Sequence, residues 1–421
     1  MKFAMIRCTL AVICAMAVSS ATAQTQGVPG YLPAEAEVRE AVASSPDVMT
    51  VEARRDATLA RADGIRTGTA ETVVRAIGQG RQVRDPSERY AEGQITVERP
   101  LRLWGKADAD GRLADAAAEA GQLTVKDARH EASRQILSLW FAAVRAGQAR
   151  VAAQDNARAA AELAALTARR VQVGDASRLD GELAASDHAR LLAALATATA
   201  TEQAALAELQ ARFPGLGRPG LATEAALPPL PPLPQDPPER LRTEYVQDSH
   251  EYRLAMAEEV QSQHQAKRVD LERRPDPTVG MFMTVERGGA ERILGVSVAM
   301  PLGSAHRRSA AVAAAADAEA AARRRLGAER RLGAEFDVLY RNLQGKRAAA
   351  QAQADAAALQ RTTAARATRA YRAGETGLAE LIPVRRGLAD ALLAERLAAV
   401  DVLEADSRLK LDLHRMWDFD E

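Results

Sequence analysis

The sequence predicts a mostly α-helical fold with a β-barrel portion, built as two copies of one helical-hairpin plan. Aromatic residues make up only 4% of the 421 residues although 47% are hydrophobic. Much of that fraction is alanine, which suits close helix-to-helix contact better than a large aromatic core. Several uncommon local features also recur in the same order about 200 residues apart, the mark of an internal repeat. Pro100-Leu101 is answered by Pro301-Leu302, Trp140 by Tyr340, and Val173-Gly174-Asp175 by Ala373-Gly374-Glu375. Leu179 is matched with Leu378 and Leu209 with Leu409. Finally, the stretch before each Pro-Leu alternates in the manner of a strand.

Residues 1–23 read as a secretory signal peptide: Lys2 and Arg7 precede an apolar run from Cys8, and Ala21-Thr22-Ala23 forms a small-residue cleavage site. Both cysteines lie there, so the exported chain would hold no thiol or disulfide. Cys14 as a lipid anchor is the alternative, although Ile13 is larger than the residue such a site carries. No later segment is long and apolar enough for a spanning helix. Lys and Arg total 56 against 56 Asp and Glu, which argues against nucleic-acid binding by bulk charge.

The first repeat occupies residues 24–226. It holds a helical piece, a β-hairpin at about 70–100, a long helix, a turn at 174 and a return helix. No proline falls between Leu101 and Phe213, and the stretch from Gly105 to Val173 would span about 100 Å as one helix. Ile136, Trp140 and Val144 keep helical spacing within it. The shorter pieces on either side sum to the same length, so two helices stacked end to end can lie beside one long one. The contacts expected are coiled-coil-like with small alanine interfaces. Residues 227–238 are a proline-rich linker, read as a stiff crossover rather than a polyproline ligand.

The second repeat, residues 239–421, follows the same order, with a hairpin at about 278–301, a long helix, a turn at 374 and a return helix. Val279, Met281, Met283 and Val285 share one face against Thr278, Gly280, Thr284 and Glu286, with Phe282 as the exception. Leu294, Val296, Val298 and Met300 continue the apolar face after Gly288-Gly289. The first hairpin is weaker: Ile95 and Val97 alternate with Gln94, Thr96 and Glu98, but Arg75 and Arg81 fall among Val73, Val74 and Ile77. A soluble sheet with one solvated face would show this pattern too. The leader and the absence of a spanning helix favour a membrane barrel. Four strands cannot close one, and unpaired edges in hydrocarbon cost several kcal/mol per backbone group, so chains would have to share it.

This ordered set resembles the TolC-like outer-membrane efflux proteins over essentially the whole mature chain. The residues that carry the resemblance are the twofold repeat, the strand end Val296-Ser297-Val298-Ala299-Met300-Pro301-Leu302, and the Gly174 and Gly374 turns followed by Leu179 and by Leu378. It implies a homotrimer with a shared twelve-stranded barrel in outer-membrane lipid, a long α-helical periplasmic tunnel, and no enzymatic activity. It further implies a periplasmic adaptor (membrane fusion) protein and an inner-membrane pump of the resistance-nodulation-division type as partners. Gly174, Asp175, Gly374 and Glu375 are then the adaptor-contact turns, and Asp180, Tyr371 and Glu380 fall at the periplasmic aperture. Pro383 and Thr376 stand where some members carry an acid and an arginine, so the gating contacts here differ. Length and loop style are similar to the subgroup that serves heavy-metal cation exporters; multidrug or solvent export stays open.

No phosphate loop, nucleophile elbow or metal motif occurs, so no catalytic, cofactor-binding or metal-ligating residue is singled out. His130, His188, His250, His264, His306 and His414 show no ligand spacing. A periplasmic coiled-coil scaffold would explain the long helices equally well, but not the paired hairpins.

Overall fold

A computed structural model describes residues 29–223 and 227–419. The leader at 1–23, with Cys8 and Cys14, lies outside the described residues. The first half of the chain forms α1 (Glu35–Ala43), α2 (Pro46–Thr67), β1 (Val73–Arg84), β2 (Ser87–Pro100), α3 (Lys106–Gln172) and α4 (Arg178–Arg212). The second half repeats the order with α5 (Pro238–Asp248), α6 (His250–Leu271), β3 (Thr278–Glu286), β4 (Glu291–Ala299), α7 (Ala305–Arg372) and α8 (Leu378–Asp412).

With no proline to interrupt them, α3 and α7 run for 67 and 68 residues, each about 100 Å. The shorter helices lie along them. Both α2 and α4 pack on α3, α6 and α8 pack on α7, and α6 and α8 also pack on α3. The result is a layer of four helical columns in the order α2/α4, α3, α6/α8, α7. Buried positions on α7 step by seven residues: Ala314, Ala321 and Ala328, then, after one eight-residue step, Phe336, Leu343, Ala350, Ala357, Ala364 and Tyr371. That period winds neighbouring helices into a left-handed supercoil, and alanine at most steps lets the axes approach closely.

The four strands form one antiparallel sheet in the order β1-β2-β3-β4, so β1 and β4 are its edges. The strand order follows the column order, because each strand continues from, or into, its own column. Register puts Ile95 beside Met283 and Val97 beside Met281, with Val296 and Leu294 next across the sheet. With Val74 and Ala76 on β1, one face is apolar from edge to edge. The opposite face is predominantly polar, with Arg75, Gln79, Arg81, Glu92, Thr96, Glu98, Thr284 and Ser297, and carries Val73, Ile77 and Ile293 among them.

Two irregularities in the alternation have physical reasons here. Arg75 and Arg81 belong to the polar face, where Arg75 pairs with Glu98 at 3.1 Å and Arg81 with Glu92 at 3.5 Å. Gln79 also donates to Glu92 at 2.9 Å. Phe282 turns to the same face and lies over Gly295 on the neighbouring strand, where any side chain on Gly295 would collide with its ring. The aromatic covers the gap that the glycine leaves.

Where helices meet strands, Lys106 is wholly buried yet fully partnered: its ammonium reaches Asp276 at 2.9 Å, Glu272 at 3.2 Å and the Arg274 carbonyl at 2.8 Å. Removing any of these would leave a buried charge short of a partner. Asp110 beside it binds both Arg102, at 3.0 Å, and Arg268. These contacts tie the start of α3 to the segment between α6 and β3, and so one repeat to the other.

At mid-length the layer thickens around two apolar clusters. The first gathers α1, the middle of α3 and the end of α4 with Met416 and Trp417. The second gathers α5, the middle of α7 and the end of α8. The proline-rich segment runs between them without helix or strand from 227 to 234 and enters α5 at Pro238, with Leu227 against the first cluster and Leu230 and Leu233 against the second.

Candidate functional site

The end of the rod away from the sheet is formed by the α3–α4 and α7–α8 turns. Both helices stop in the same way. The Gly174 amide donates to the Val171 carbonyl at 3.1 Å and the Asp175 amide to the Arg170 carbonyl at 2.7 Å. The Gly374 amide donates to Tyr371 at 3.1 Å and the Glu375 amide to Ala370 at 2.9 Å. This is the Schellman arrangement, which needs a left-handed residue at its centre; φ is +79° at Gly174 and +77° at Gly374.

The return helices start differently. Ser177 caps α4: its hydroxyl oxygen accepts from the Asp180 amide at 3.0 Å, while the Asp180 carboxylate accepts from the Ser177 amide at 3.2 Å. In α8 the corresponding cap is Gly377, with no side chain, and Glu380 at the position of Asp180 is exposed. Leu378, Leu381, Ile382 and Tyr371 are buried there instead, against Leu163 and Ala184. These caps correct one sequence match. Ser177 aligns with Gly377, so Leu179 and Leu378 are one position out of step: Leu179 is 62% exposed and Leu378 is 1% exposed. A one-residue slip on a helix turns a side chain by about 100°, enough to exchange core for solvent.

Of the residues singled out from the sequence, Tyr371 and Asp175 are brought together through Arg170, which the sequence did not mark. Its guanidinium donates to Asp175 at 2.8 Å and lies 5.3 Å from the centre of the Tyr371 ring. The hydrogen bond to Asp175 raises the Arg170 pKa above its usual value. Asp180 is engaged in its own helix cap. Gly174, Asp175, Gly374 and Glu375 are all exposed at the turns, and Val173 beside them is 78% exposed. Further along, Arg386 of α8 reaches Asp187 of α4 at 2.7 Å, joining the two return helices.

A second cluster lies at mid-length. His130 of α3, His250 at the start of α6 and His414 just after α8 place one ring nitrogen each within 4.8 Å of the others. His130 contacts the buried Asp412 at 3.3 Å, and Asp412 also accepts from Arg134 at 2.8 Å and Arg408 at 2.7 Å. Burial alone would raise the Asp412 pKa. The His130 contact and the two guanidinium charges outweigh it and hold the carboxyl well below the usual carboxylate range. No spacing rule finds this trio, because its members are more than a hundred positions apart and meet only when the two repeats pack.

No protein-family profile matches the chain, and no curated protein does. Solved structures do. The outer-membrane channel OprN superposes with a TM-score of 0.73 at 18% identity, covering 91% of this chain and 90% of its own. VceC, an outer-membrane protein from Vibrio cholerae, gives 0.71 at 17%, covering 91% and 95%. The CmeC outer-membrane channel from Campylobacter jejuni gives 0.70 at 11%, covering 91% and 87%. At these identities the likeness is one of fold, and it extends over nearly the whole described chain.

Proposed function

We propose that the chain is one segment of a closed outer-membrane exit duct, through which substrate leaves the cell without chemical change. One observation carries the reading: sheet and helical layer are open at corresponding edges, β1 with the α2/α4 column and β4 with α7. Copies placed side by side would close both layers at once, pairing β4 with the next β1 and α7 with the next α2/α4. The apolar face then meets lipid and the polar face lines a water-filled bore, the division expected of a membrane barrel. Left open in hydrocarbon, the two edges would cost several kcal/mol for each unpaired backbone group.

Three copies, giving twelve strands, follow from the resemblance to TolC-like proteins, as does placement in the outer membrane with the helices extending into the periplasm. The exposed turns at Gly174-Asp175 and Gly374-Glu375, flanked by the exposed Val173 and Leu179, suit docking of a periplasmic adaptor. An inner-membrane resistance-nodulation-division pump would supply the free energy. Tyr371, Asp180 and Glu380 are proposed for the aperture, where carboxylates repeated by symmetry would attract cations. Heavy-metal cations are the proposed cargo, on the resemblance to that subgroup.

The test is conductance of the purified mature protein in planar bilayers, together with a deletion strain exposed to divalent metals and organic drugs. Discrete channels and metal sensitivity restored by the intact gene are expected. Drug sensitivity alone would overturn the cargo while leaving the duct. Absence of channels would overturn the duct.

A further inference from the structure

We propose that His130, His250 and His414 form a binding site for one divalent first-row cation of the Zn²⁺, Cu²⁺ or Ni²⁺ class. The site lies at mid-length, away from the tip, and the inference does not depend on the cargo of the duct. Imidazole suits these borderline ions, and three histidines are a sufficient protein ligand set when a water completes the shell.

The geometry is close to that required. Three nitrogens at most 4.8 Å apart surround a point no more than about 2.8 Å from each, against 2.0–2.1 Å for a Zn–N bond. Closing the site needs each nitrogen to move by about 0.8 Å or less, together with a turn of the stacked His130 and His414 rings to aim their lone pairs at the ion. His130 Nε2 lies 3.3 Å from the Asp412 carboxylate, so the ring would ligate through Nδ1 with the carboxylate holding its far side.

A second observation points independently to His414. The chain contains the same helix-ending hydrogen-bond pattern a third time, after α8: the His414 amide donates to Leu411 at 3.0 Å and the Arg415 amide to Lys410 at 2.9 Å. At the two tips glycine takes the left-handed position. Here His414 takes it, at φ +54°. A side chain held in a conformation that glycine would adopt more easily is the kind of strain that collects at binding sites. The ion would join α3, the start of α6 and the end of α8, fastening both repeats at mid-length.

The experiment uses the full mature chain in detergent, freed of any histidine tag, stripped with a chelator and titrated with Zn²⁺ alone by calorimetry. One ion per chain and a rise in melting temperature with Zn²⁺ are expected. His414→Gly removes a ligand while easing the turn, so it should melt no lower than wild type in chelator yet bind at least tenfold more weakly. His130→Gln should also bind at least tenfold more weakly. A variant lacking His188, His264 and His306 should bind as wild type does. Failure of the wild-type protein to take up one ion per chain overturns the proposal. So does unchanged affinity in His414→Gly, or loss of binding when only the three outlying histidines are removed. Because channel conductance is measured apart from ion uptake, either reading can fail without the other.

Discussion

The two long helices are nearly equal in length but live in different surroundings. In α3, 25 of 67 residues are buried, whereas in α7 only 11 of 68 are. The first is flanked on both sides, by α2 and α4 and by α6 and α8; the second packs, among the described elements, mainly on α5, α6 and α8. Its single buried stripe leaves Val338 and Leu359, two residues on from the stripe positions Phe336 and Ala357, 57% and 72% exposed on the far side. The difference teaches that α3 is an interior column and α7 an edge of the layer, the edge that the proposed oligomer would cover.

The largest effect should come from charging that edge. Val338→Glu with Leu359→Glu is expected to leave helix content by circular dichroism unchanged while converting the oligomer to monomer on size exclusion. An oligomer that survives would place the far side of α7 elsewhere than at an interface. Next, Phe141→Ala in the interior column should lower stability by about 3–5 kcal/mol in denaturant titration, because it opens a cavity where nothing is exposed. Leu359→Ala, on the edge, should change single-chain stability by less than about 0.5 kcal/mol.

The tips sharpen the same contrast on a smaller scale, since one is fastened by hydrogen bonds and the other by apolar burial. Gly174→Ala and Gly374→Ala should each cost about 1–2 kcal/mol, equally at both tips, because the left-handed conformation is shared. Ser177→Ala should cost about 1 kcal/mol by breaking the α4 cap. The smallest effect is a gain: Gly377→Ser would set a serine three residues before Glu380 and complete the missing capping box, adding a few tenths of a kcal/mol. Equal thermal shifts for Ser177→Ala and Gly377→Ser would show that the tips do not differ as described.

Much of this architecture was legible because helix and strand leave separate periodicities in sequence. The second hairpin could be read directly from Val279, Met281 and Met283. The first was read mainly through the repeat, since Arg75 and Arg81 break the apolar pattern until their partners Glu98 and Glu92 are known. The tip glycines were legible because a left-handed turn leaves few other residues. Leu179 and Leu378 were mismatched because leucines recur often enough to align one position out of step, and only the caps at Ser177 and Gly377 fix the phase. Arg170, Lys106 and the three histidines left no local signal: each acts through residues brought near by packing.

The central claim is that the chain is an open segment completed by copies of itself, and the mass of the detergent-extracted complex by native mass spectrometry tests it most directly. The account predicts a complex of three chains that requires detergent for extraction. A single chain, stable and dissolved in plain buffer, would contradict it.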